Sequence, residues 1–348
     1  MSKMDRRDFL KTSVLGGLAA SAGLYASSAP VFAGTGPLMG KPLNTASKVA
    51  LSTGADRADV AFKALQPFAK EIAQAVGKKK IILKPNNVST KIQLSATYAE
   101  TLEGTLEFFK SIKKLDQVVV AESAADGPAV GGFENYGYMK VFDKYKVKWY
   151  DLDELPSEIH YIVSEKDMKP RAVRFSSLLM DPDSYLVSVA RMKTHDRVFG
   201  TLSLKNIVFG APVKDYGNPR QQRPTNYKPI LHGDGFKGIN YNLFTMANKL
   251  HPHLALIDGY TGMEGNGPTQ GTPVDHRVCV ASTDWLAADR VGYELMGIDY
   301  SVVAYLNYCA ESGMGQGDLS KIEVIGERIA DHKKKYKLHE RSQQMLLG

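Results

Sequence analysis

Lys193 and His195 lie three and five residues after the apolar run 185–190 and are the clearest candidates for chemistry in this sequence. Their side chains share one face if the strand continues, because side-chain direction along a strand alternates with a period of two. A lysine ammonium beside an imidazole lowers the imidazole pKa and keeps the histidine neutral, as a general base or a metal ligand must be. We therefore predict that both residues are catalytic. A buried, hydrogen-bonded structural histidine is the alternative.

Two further lysines lie close to asparagines. Lys84 and Asn86 follow the apolar run 81–83, and Lys205 adjoins Asn206 in another apolar stretch. An ammonium group can bind an anion while the asparagine amide orients it. We accordingly predict that Lys84 is catalytic and that Asn86, Lys205 and Asn206 bind ligand. The alternatives are a turn that ends the strand after Lys84 and a solvated helix face at Lys205.

A glycine-dense segment, residues 262–268, follows a later strand-like run. Glycine lets backbone amides approach an anion closely, so we predict that Gly265, Asn266 and Gly267 take part in ligand binding. The segment lacks the lysine and the Ser/Thr ending of a phosphate-binding loop. A tight turn after the strand is the alternative.

Imidazoles and carboxylates near these positions could hold a divalent metal ion, whose identity the sequence leaves open. The candidate metal ligands are His195, His232, Asp258 and Glu264. No iron–sulfur cluster is expected, because the chain has two cysteines and such clusters take four thiolates. Cys279 and Cys309 both lie in apolar stretches, where a cysteine is a poor nucleophile.

Short apolar runs alternate with helical patterns along the chain. The main runs predicted as strands are 49–51, 81–83, 118–121, 185–190, 254–257, 278–281 and 323–325. Continuously apolar runs are typical of parallel strands covered on both faces by helices, so we predict an α/β fold with a mostly parallel sheet flanked by helices. Residues 151–183 alternate more and predict a small antiparallel excursion. Ligands bind beyond the carboxyl ends of parallel strands, which would gather the polar residues that follow these runs.

The first 33 residues are predicted to be an export signal rather than part of the fold. The pair Arg6-Arg7 precedes a short, weakly apolar stretch, and cleavage is expected near Ala33. This pattern resembles a twin-arginine signal, which implies the twin-arginine translocase as a partner during export. We expect a periplasmic or otherwise exported protein that is soluble after cleavage, without a stable membrane span. An uncleaved anchor is the alternative.

The composition is that of a globular protein, with 43% hydrophobic and 23% charged residues, which excludes disorder as the main state. Residues 34–46 are predicted to be a linker, 47–326 a single α/β domain and 327–348 a basic C-terminal tail. The formal net charge of +7 comes partly from the leader and from that tail. A short basic run is typical of a solvated surface, so we expect no nucleic-acid partner.

Several of these motifs resemble one family. They are Lys84-Pro85-Asn86, Lys193-Thr194-His195, Leu204-Lys205-Asn206, and Asp258-Gly259 followed by the segment 262–268. In this order they resemble the domain-of-unknown-function family numbered 362, over about residues 81–297. Many relatives carry ferredoxin-type cysteine clusters, which this sequence does not contain. The resemblance implies a shared α/β fold and assigns no activity.

These observations leave three interpretations of function open. The first is an exported enzyme that acts on a small anionic substrate, assisted by a divalent metal or another cofactor. The second is a non-catalytic periplasmic protein that binds an anion or a metal for a partner. The third, a purely structural role, requires the polar residues that follow the strands to be scattered in space.

Overall fold

The computed structural model of this protein describes residues 43–215 and 225–347. The predicted signal peptide and residues 34–42 of the predicted linker lie outside these ranges, so the export signal stays a prediction. Within the described ranges, no helix has both the length and the apolar character needed to cross a membrane.

One large sheet organises the described residues. The strands in chain order are β1 (Ser47–Thr53), β2 (Lys80–Pro85), β3 (Val118–Glu122), β4 (Lys148–Asp151), β5 (Ser157–Val163), β6 (Pro170–Ser176), β7 (Ser184–His195), β8 (Phe199–Thr201), β9 (Lys214–Asp215), β10 (Thr225–Asn226), β11 (Leu254–Asn266), β12 (Gln270–Ser282) and β13 (Ile322–Gly326). The large sheet has the order β13-β1-β12-β11-β7-β2-β3-β4, and β8 pairs with β7. Every run predicted as a strand therefore lies in this sheet.

Most neighbouring strands of the large sheet are parallel. The parallel pairs are β13 with β1, β11 with β7, β7 with β2, β2 with β3 and β3 with β4. β12 is antiparallel to both β1 and β11. The predicted α/β fold with a mostly parallel sheet is confirmed, and the predicted antiparallel excursion is the separate β5–β6 hairpin.

Helices cover both faces of this sheet. The helices in chain order are α1 (Arg57–Leu65), α2 (Ala69–Val76), α3 (Ala99–Ser111), α4 (Ala129–Asn135), α5 (Tyr138–Tyr145), α6 (Ser177–Met180), α7 (Ser203–Gly210), α8 (Lys228–Leu231), α9 (Phe236–Ala247), α10 (Trp285–Leu295), α11 (Ala304–Glu311), α12 (Ile329–His332) and α13 (Glu340–Leu347). On β2, Ile82 belongs to the hydrophobic core that includes residues of α7, α9 and α10, whereas Ile81 and Leu83 belong to the core that includes residues of α1, α3 and α5. Burial on both faces explains why the strands are continuously apolar.

Two strands are longer than their apolar runs and carry polar residues past the edge of the sheet. β7 continues to His195 and is buried throughout, so Lys193 and His195 lie on a strand as predicted. β11 continues to Asn266 and returns as β12, so much of the glycine-dense segment is one arm of a hairpin. These extensions and the carboxyl ends of β2 and β3 determine where the polar residues meet.

The C-terminal residues cross the end of β11. The lysines between 333 and 337 are exposed, but Tyr336 between them is only 3% exposed. Its hydroxyl lies 2.9 Å from Nδ1 of His276, and its backbone amide donates to the carbonyl of Met296 at 2.9 Å. The basic residues of the tail are therefore solvated while the backbone beneath them is packed on the domain.

Candidate functional site

A buried ion pair joins the carboxyl ends of β2 and β3. Nζ of Lys84 lies 2.7 Å from Oε1 of Glu122, and each side chain is 1% exposed. Nζ also donates to the carbonyl of Pro85 at 2.9 Å and to Oδ1 of Asn206 at 3.2 Å. Burial lowers the pKa of Lys84, and the Glu122 carboxylate opposes that shift. Three acceptors around one ammonium give Lys84 a fixed position.

Asn206 of α7 joins the helix to this ion pair. Its Oδ1 accepts from Nδ2 of Asn86 at 3.0 Å, and its Nδ2 donates to Oγ of Ser188 at 3.0 Å. Asp289 of α10 holds the first turn of α7, because its carboxylate accepts from the amides of Ser203 and Leu204 at 2.7 and 3.1 Å. The predicted ligand-binding residues Asn86 and Asn206 thus lie together with Lys84, and the helix face around Asn206 is buried rather than solvated.

Gly210, at the end of α7, leaves the space that the Lys84 side chain fills. A Cβ atom at Gly210 would lie 1.8 Å from Cε and 2.2 Å from Nζ of Lys84. Any larger residue would displace the ammonium from Glu122. The absence of a side chain at Gly210 therefore lets the end of α7 pack directly against the Lys84 side chain of β2.

The polar groups around the ion pair enclose a cavity of about 50 Å³, which we call the carboxyl-edge cavity. Its principal lining residues are Lys84, Asn86, Asn87, Glu122, Thr201, Lys205, Asn206, Phe209 and Lys228. Several buried polar atoms here have no hydrogen-bond partner among the described residues: Asn86 Oδ1, Asn87 Oδ1 and Nδ2, Glu122 Oε2 and Thr201 Oγ1. Leaving such atoms unsatisfied is costly, so the lining fits a polar ligand or water.

Lys205 also lines this cavity, and its ammonium group has no hydrogen-bond acceptor among the described residues, unlike those of Lys84 and Lys228. Its Nζ lies 4.4 Å from the centre of the Phe209 ring, and the residue is 6% exposed. Burial lowers the pKa of Lys205 to about 7, against a small opposing effect from Asp196. Burial therefore weakens the preference of this amine for its protonated form.

Two more buried lysines lie nearby without a carboxylate in ion-pair distance in the described part of the chain. Lys228 donates to the carbonyls of Gly210 and Pro212 at 3.0 and 2.5 Å, and Lys193 donates to the carbonyl of Ser95 at 2.7 Å. Burial, followed by neighbouring cations, lowers the pKa of Lys228 to about 7 and that of Lys193 well below its usual value. An anion in the cavity would compensate this excess of buried positive charge.

His195 does not line the cavity itself; two ring contacts connect it to the lining residue Phe209. Its ring stacks with that of His232 at 6.2 Å, and His232 packs against Phe209 at 4.7 Å. Burial, then Lys205, His232 and Lys193, hold the pKa of His195 well below its usual value. Burial and Lys205 likewise lower the pKa of His232 to about 4. Both shifts favour the neutral imidazole, and for His195 burial contributes more than Lys193.

Asp258, a candidate metal ligand, is instead the centre of a buried cluster with two arginines. Nη1 of Arg57 and Nη1 of Arg191 each lie 2.9 Å from Oδ2 of Asp258, and Oγ1 of Thr101 donates to the same oxygen at 2.8 Å. Burial alone would raise the pKa of Asp258, but Arg191 and Arg57 outweigh it and keep the pKa below its usual value. The carboxylate thus has its charge compensated within the protein.

The other candidate metal ligands do not join Asp258. Oε2 of Glu264 accepts from the backbone amide of Lys337 at 2.9 Å, and His195 and His232 lie beside Lys205. No group of three or more His, Cys, Asp or Glu side chains in residues 43–215 and 225–347 could hold a metal ion. Metal binding stays a prediction, and these four residues would need to rearrange to share one ion.

The glycine-dense segment contacts the C-terminal residues. The amide of Gly265 donates to the carbonyl of Lys337 at 2.6 Å, and Nδ2 of Asn266 lies 3.3 Å from Oε1 of Glu340. The amide of Gly267 donates to the carbonyl of Gly265 at 2.8 Å. These predicted ligand-binding groups are therefore bonded within the chain and lie apart from the carboxyl-edge cavity.

Both cysteines are buried and form no disulfide in the described structure. Burial raises the pKa of each thiol above its ordinary value. Since the thiolate is the reactive form, neither residue is suited to nucleophilic chemistry.

Comparison with a curated protein gives a distant relative. A thylakoid-associated protein of Synechocystis sp. (strain ATCC 27184 / PCC 6803 / Kazusa) is 26% identical over 187 residues, which are 53% of this chain and 52% of that protein. The chain thus spans about half the length of the curated relative it matches. A crystal structure of a Thermotoga maritima protein, a Northeast Structural Genomics Consortium target, overlaps with a TM-score of 0.38 at 11% identity, covering 60% of this chain and 52% of that one. No conclusion follows from a score that low.

A family profile gives the broader match. The profile of the domain of unknown function DUF362 matches residues 81–294, more than half of the chain. That range contains the ion pair, the three buried lysines and both stacked histidines. The chain belongs to the DUF362 family, whose function is unknown.

Proposed function

We propose that the carboxyl-edge cavity binds the anionic group of a small ligand, and that the protein is an enzyme that transfers a proton on that ligand. The observation that carries this proposal is the set of buried lysines, Lys193, Lys205 and Lys228, without a carboxylate partner in the described residues. Buried lysine is costly unless its charge is compensated. A bound anion would supply the compensation.

The size and lining of the cavity support a small ligand. A volume of about 50 Å³ accommodates a carboxylate-sized group rather than a whole nucleotide. The unpaired amide of Asn87 and hydroxyl of Thr201 would orient such a group beside Lys205. Lysine and amide donors in a buried site are suited to holding an anion, because charge-assisted hydrogen bonds are the stronger class.

Two groups on the lining could move a proton. Oε2 of Glu122 is buried without a hydrogen-bond partner in the described structure, and Lys205, whose burial lowers its pKa to about 7, titrates where a general acid or base works best. In this proposal Glu122 takes a proton from the ligand carbon next to the anionic group and then returns a proton to the ligand, which regenerates the carboxylate, while Lys205 binds the anionic group. His195 and His232 would keep the surroundings of Lys205 free of additional charge.

A second candidate function is a non-catalytic anion-binding protein. It is favoured by the position of Glu122, whose Oε1 already accepts from Lys84 at 2.7 Å and from the amide of Ser123 at 2.8 Å. Both bonds commit Oε1 to contacts within the protein itself. In that case Glu122 only orients the ligand.

We also propose that the protein acts outside the cytoplasm, on the strength of the Arg6-Arg7 leader. A divalent metal remains a proposal from the sequence alone. The proton transfer described here uses only side chains of this chain.

Replacing Lys205 with methionine is expected to abolish anion binding while stabilising the fold. The test is a thermal-shift titration of the wild type and the variant with small carboxylates and oxyanions at pH 6 and pH 8. Burial lowers the pKa of Lys205 to about 7 in the folded state, so the wild-type shift should be larger at pH 6, where the amine is protonated. The matched control is Lys237→Met, which removes an exposed lysine of α9.

The stability of the same variant has a defined pH dependence. The unfolded state keeps Lys205 protonated up to about pH 10.4, and the folded pKa is about 7. Between about pH 7 and pH 10.4 the unfolded state therefore binds one more proton than the folded state. The destabilisation that Lys205 causes in the folded protein grows as the pH falls from about 10.4 to about 7. Lys205→Met should raise the free energy of unfolding by about 1–4 kcal/mol at pH 6 and by much less at pH 10. A variant that is destabilised and still binds anions would contradict the proposal.

Enzyme and binding protein are separated by proton exchange. Carboxylates that shift the melting temperature are incubated with the protein in D2O, and loss of the proton next to the carboxylate is followed by NMR. Exchange that disappears in Glu122→Gln but persists in the Lys237→Met control supports the enzyme. Binding without exchange for every bound carboxylate supports the second candidate instead.

A further inference from the structure

Five lysines line an open depression at the amino ends of β2, β3 and β4, at the opposite edge of the sheet from the carboxyl-edge cavity. They are Lys78, Lys79, Lys80, Lys146 and Lys148, and all five are exposed. The depression has a volume of about 600 Å³, and Val119 and Tyr150 lie among its lining residues. We call it the lysine depression.

These ammonium groups have no carboxylate partner in residues 43–215 and 225–347. Some surface lysines elsewhere have one, as Lys110 has Glu107 at 3.2 Å and Lys63 has Asp59 at 2.7 Å. Asp116 is the single acidic residue that lines the depression in the described structure. Like charges gathered on one wall repel each other, so the depression carries a focused positive potential.

The backbone that carries the lysines is held in place. Nε2 of Gln117 donates to the carbonyl of Lys79 at 2.6 Å, and Nζ of Lys114 donates to the carbonyl of Gly77 at 2.6 Å. Lys80 and Lys148 are the first residues of β2 and β4. The charges therefore project from a fixed sheet edge and a fixed turn, so little backbone ordering is needed on binding.

We propose that the lysine depression binds a phosphorylated polyanion. Lysine presents a flexible point charge, whereas arginine recognises one phosphate by a planar pair of donors; five lysines around a concavity suit several phosphate charges at once. Lys80 begins β2 and Lys84 lies near its end, so the two sites lie at opposite ends of one strand and can be occupied together. The proposal is independent of the chemistry at the carboxyl-edge cavity.

The phosphates have two possible sources, which two experiments distinguish. In the first, binding of inorganic tripolyphosphate to the full-length protein is measured by calorimetry at low ionic strength. In the second, the protein is sedimented with phosphatidylcholine vesicles prepared with or without phosphatidylglycerol. We expect binding in at least one experiment, weakened by added salt. Tripolyphosphate binding alone identifies a soluble phosphate, and binding to phosphatidylglycerol vesicles alone identifies lipid headgroups.

The triple variant Lys78→Gln/Lys80→Gln/Lys148→Gln should bind about a hundredfold more weakly, given a loss of about fivefold for each lysine. The control triple variant Lys48→Gln/Lys63→Gln/Lys110→Gln removes the same charge from surface lysines that have carboxylate partners. It should keep most of the affinity. Both variants contain the basic leader, so its contribution cancels. Absence of binding in both experiments, or equal losses in the two variants, would overturn the proposal.

Discussion

Replacing Asp258 with asparagine is expected to lower the free energy of unfolding by about 3–5 kcal/mol. The side chain of Asp258 is 2% exposed, and those of its partners Arg57 and Arg191 are 10% and 0% exposed. Asparagine has nearly the same shape, so the variant removes the charge and leaves two buried guanidinium groups without a counter-ion. Denaturation in urea, followed by circular dichroism, measures the change.

The control for this variant is Asp275→Asn, at a carboxylate that is 68% exposed and pairs with Arg277. That pair is expected to contribute little to stability, because both side chains are exposed and solvent screens their charges. The arginines keep the folded pKa of Asp258 below its usual value, so its contribution to stability is present above the unfolded pKa and is lost as pH falls through the folded pKa. A loss below about 1 kcal/mol for Asp258→Asn would contradict the pairing with the two arginines. A loss of stability that a chelator reproduces in the wild type would argue that Asp258 is a metal ligand instead.

The buried pair of Lys84 and Glu122 should give the second large effect, measured as a double-mutant cycle. Lys84→Met and Glu122→Gln are each expected to cost about 3–5 kcal/mol, because each leaves one buried group unpaired. The double variant should lose less than either single variant, since no uncompensated charge then remains. Urea denaturation of the four proteins provides the coupling energy.

An exposed pair provides the control for that cycle. Lys110 and Glu107 lie 3.2 Å apart with side chains 58% and 46% exposed, and the cycle of Lys110→Met with Glu107→Gln should give a coupling below about 0.5 kcal/mol. Strictly additive losses at Lys84 and Glu122 would mean that the two groups do not stabilise each other. They would then be retained for the ligand alone.

The parts of the site that the sequence predicts are those that follow directly from strand positions. A polar residue at the end of a continuously apolar run has to lie near the edge of the sheet, as Lys84 and Asn86 do. The two-residue periodicity of a strand predicts that Lys193 and His195 share one face if β7 continues, and β7 does continue to His195. Physical reasoning about strands therefore locates this edge of the sheet without any knowledge of the helices.

Residues supplied from elsewhere were not predicted as parts of the site. Asn87 and Thr201 are ordinary polar residues in sequence, and Lys228 follows a proline-rich stretch with no periodic pattern. Phe209 has the spacing of a core residue, although its ring also lies under the Lys205 ammonium. Glu122 could have been predicted, because it directly follows the apolar run 118–121 at the end of a strand. Their roles depend on contacts with other parts of the fold, as between Glu122 and Lys84, which are 38 residues apart in sequence.

The glycine-dense segment lies within the residues that the family profile matches, and most of it is strand rather than a tight turn. Its residues alternate in β11, and the amide of Gly265 is bonded to the chain near Lys337. The lysines around Tyr336 predict a solvated tail, and their charge gives no sign that the tyrosine between them is buried. In both cases the contact joins a C-terminal residue to a position far away in sequence.

The pairing of β1 with β13 has a consequence for how the protein is made. Ser47 lies opposite Ile322 in that pair, so this edge of the sheet closes only after nearly the whole domain has been synthesised. Such a non-local contact requires a large loop to close first, which slows folding. A translocation route that accepts chains only after they have folded would give this slow step time to finish in the cytoplasm. The twin-arginine pattern predicted for the leader is the address for a route of that kind.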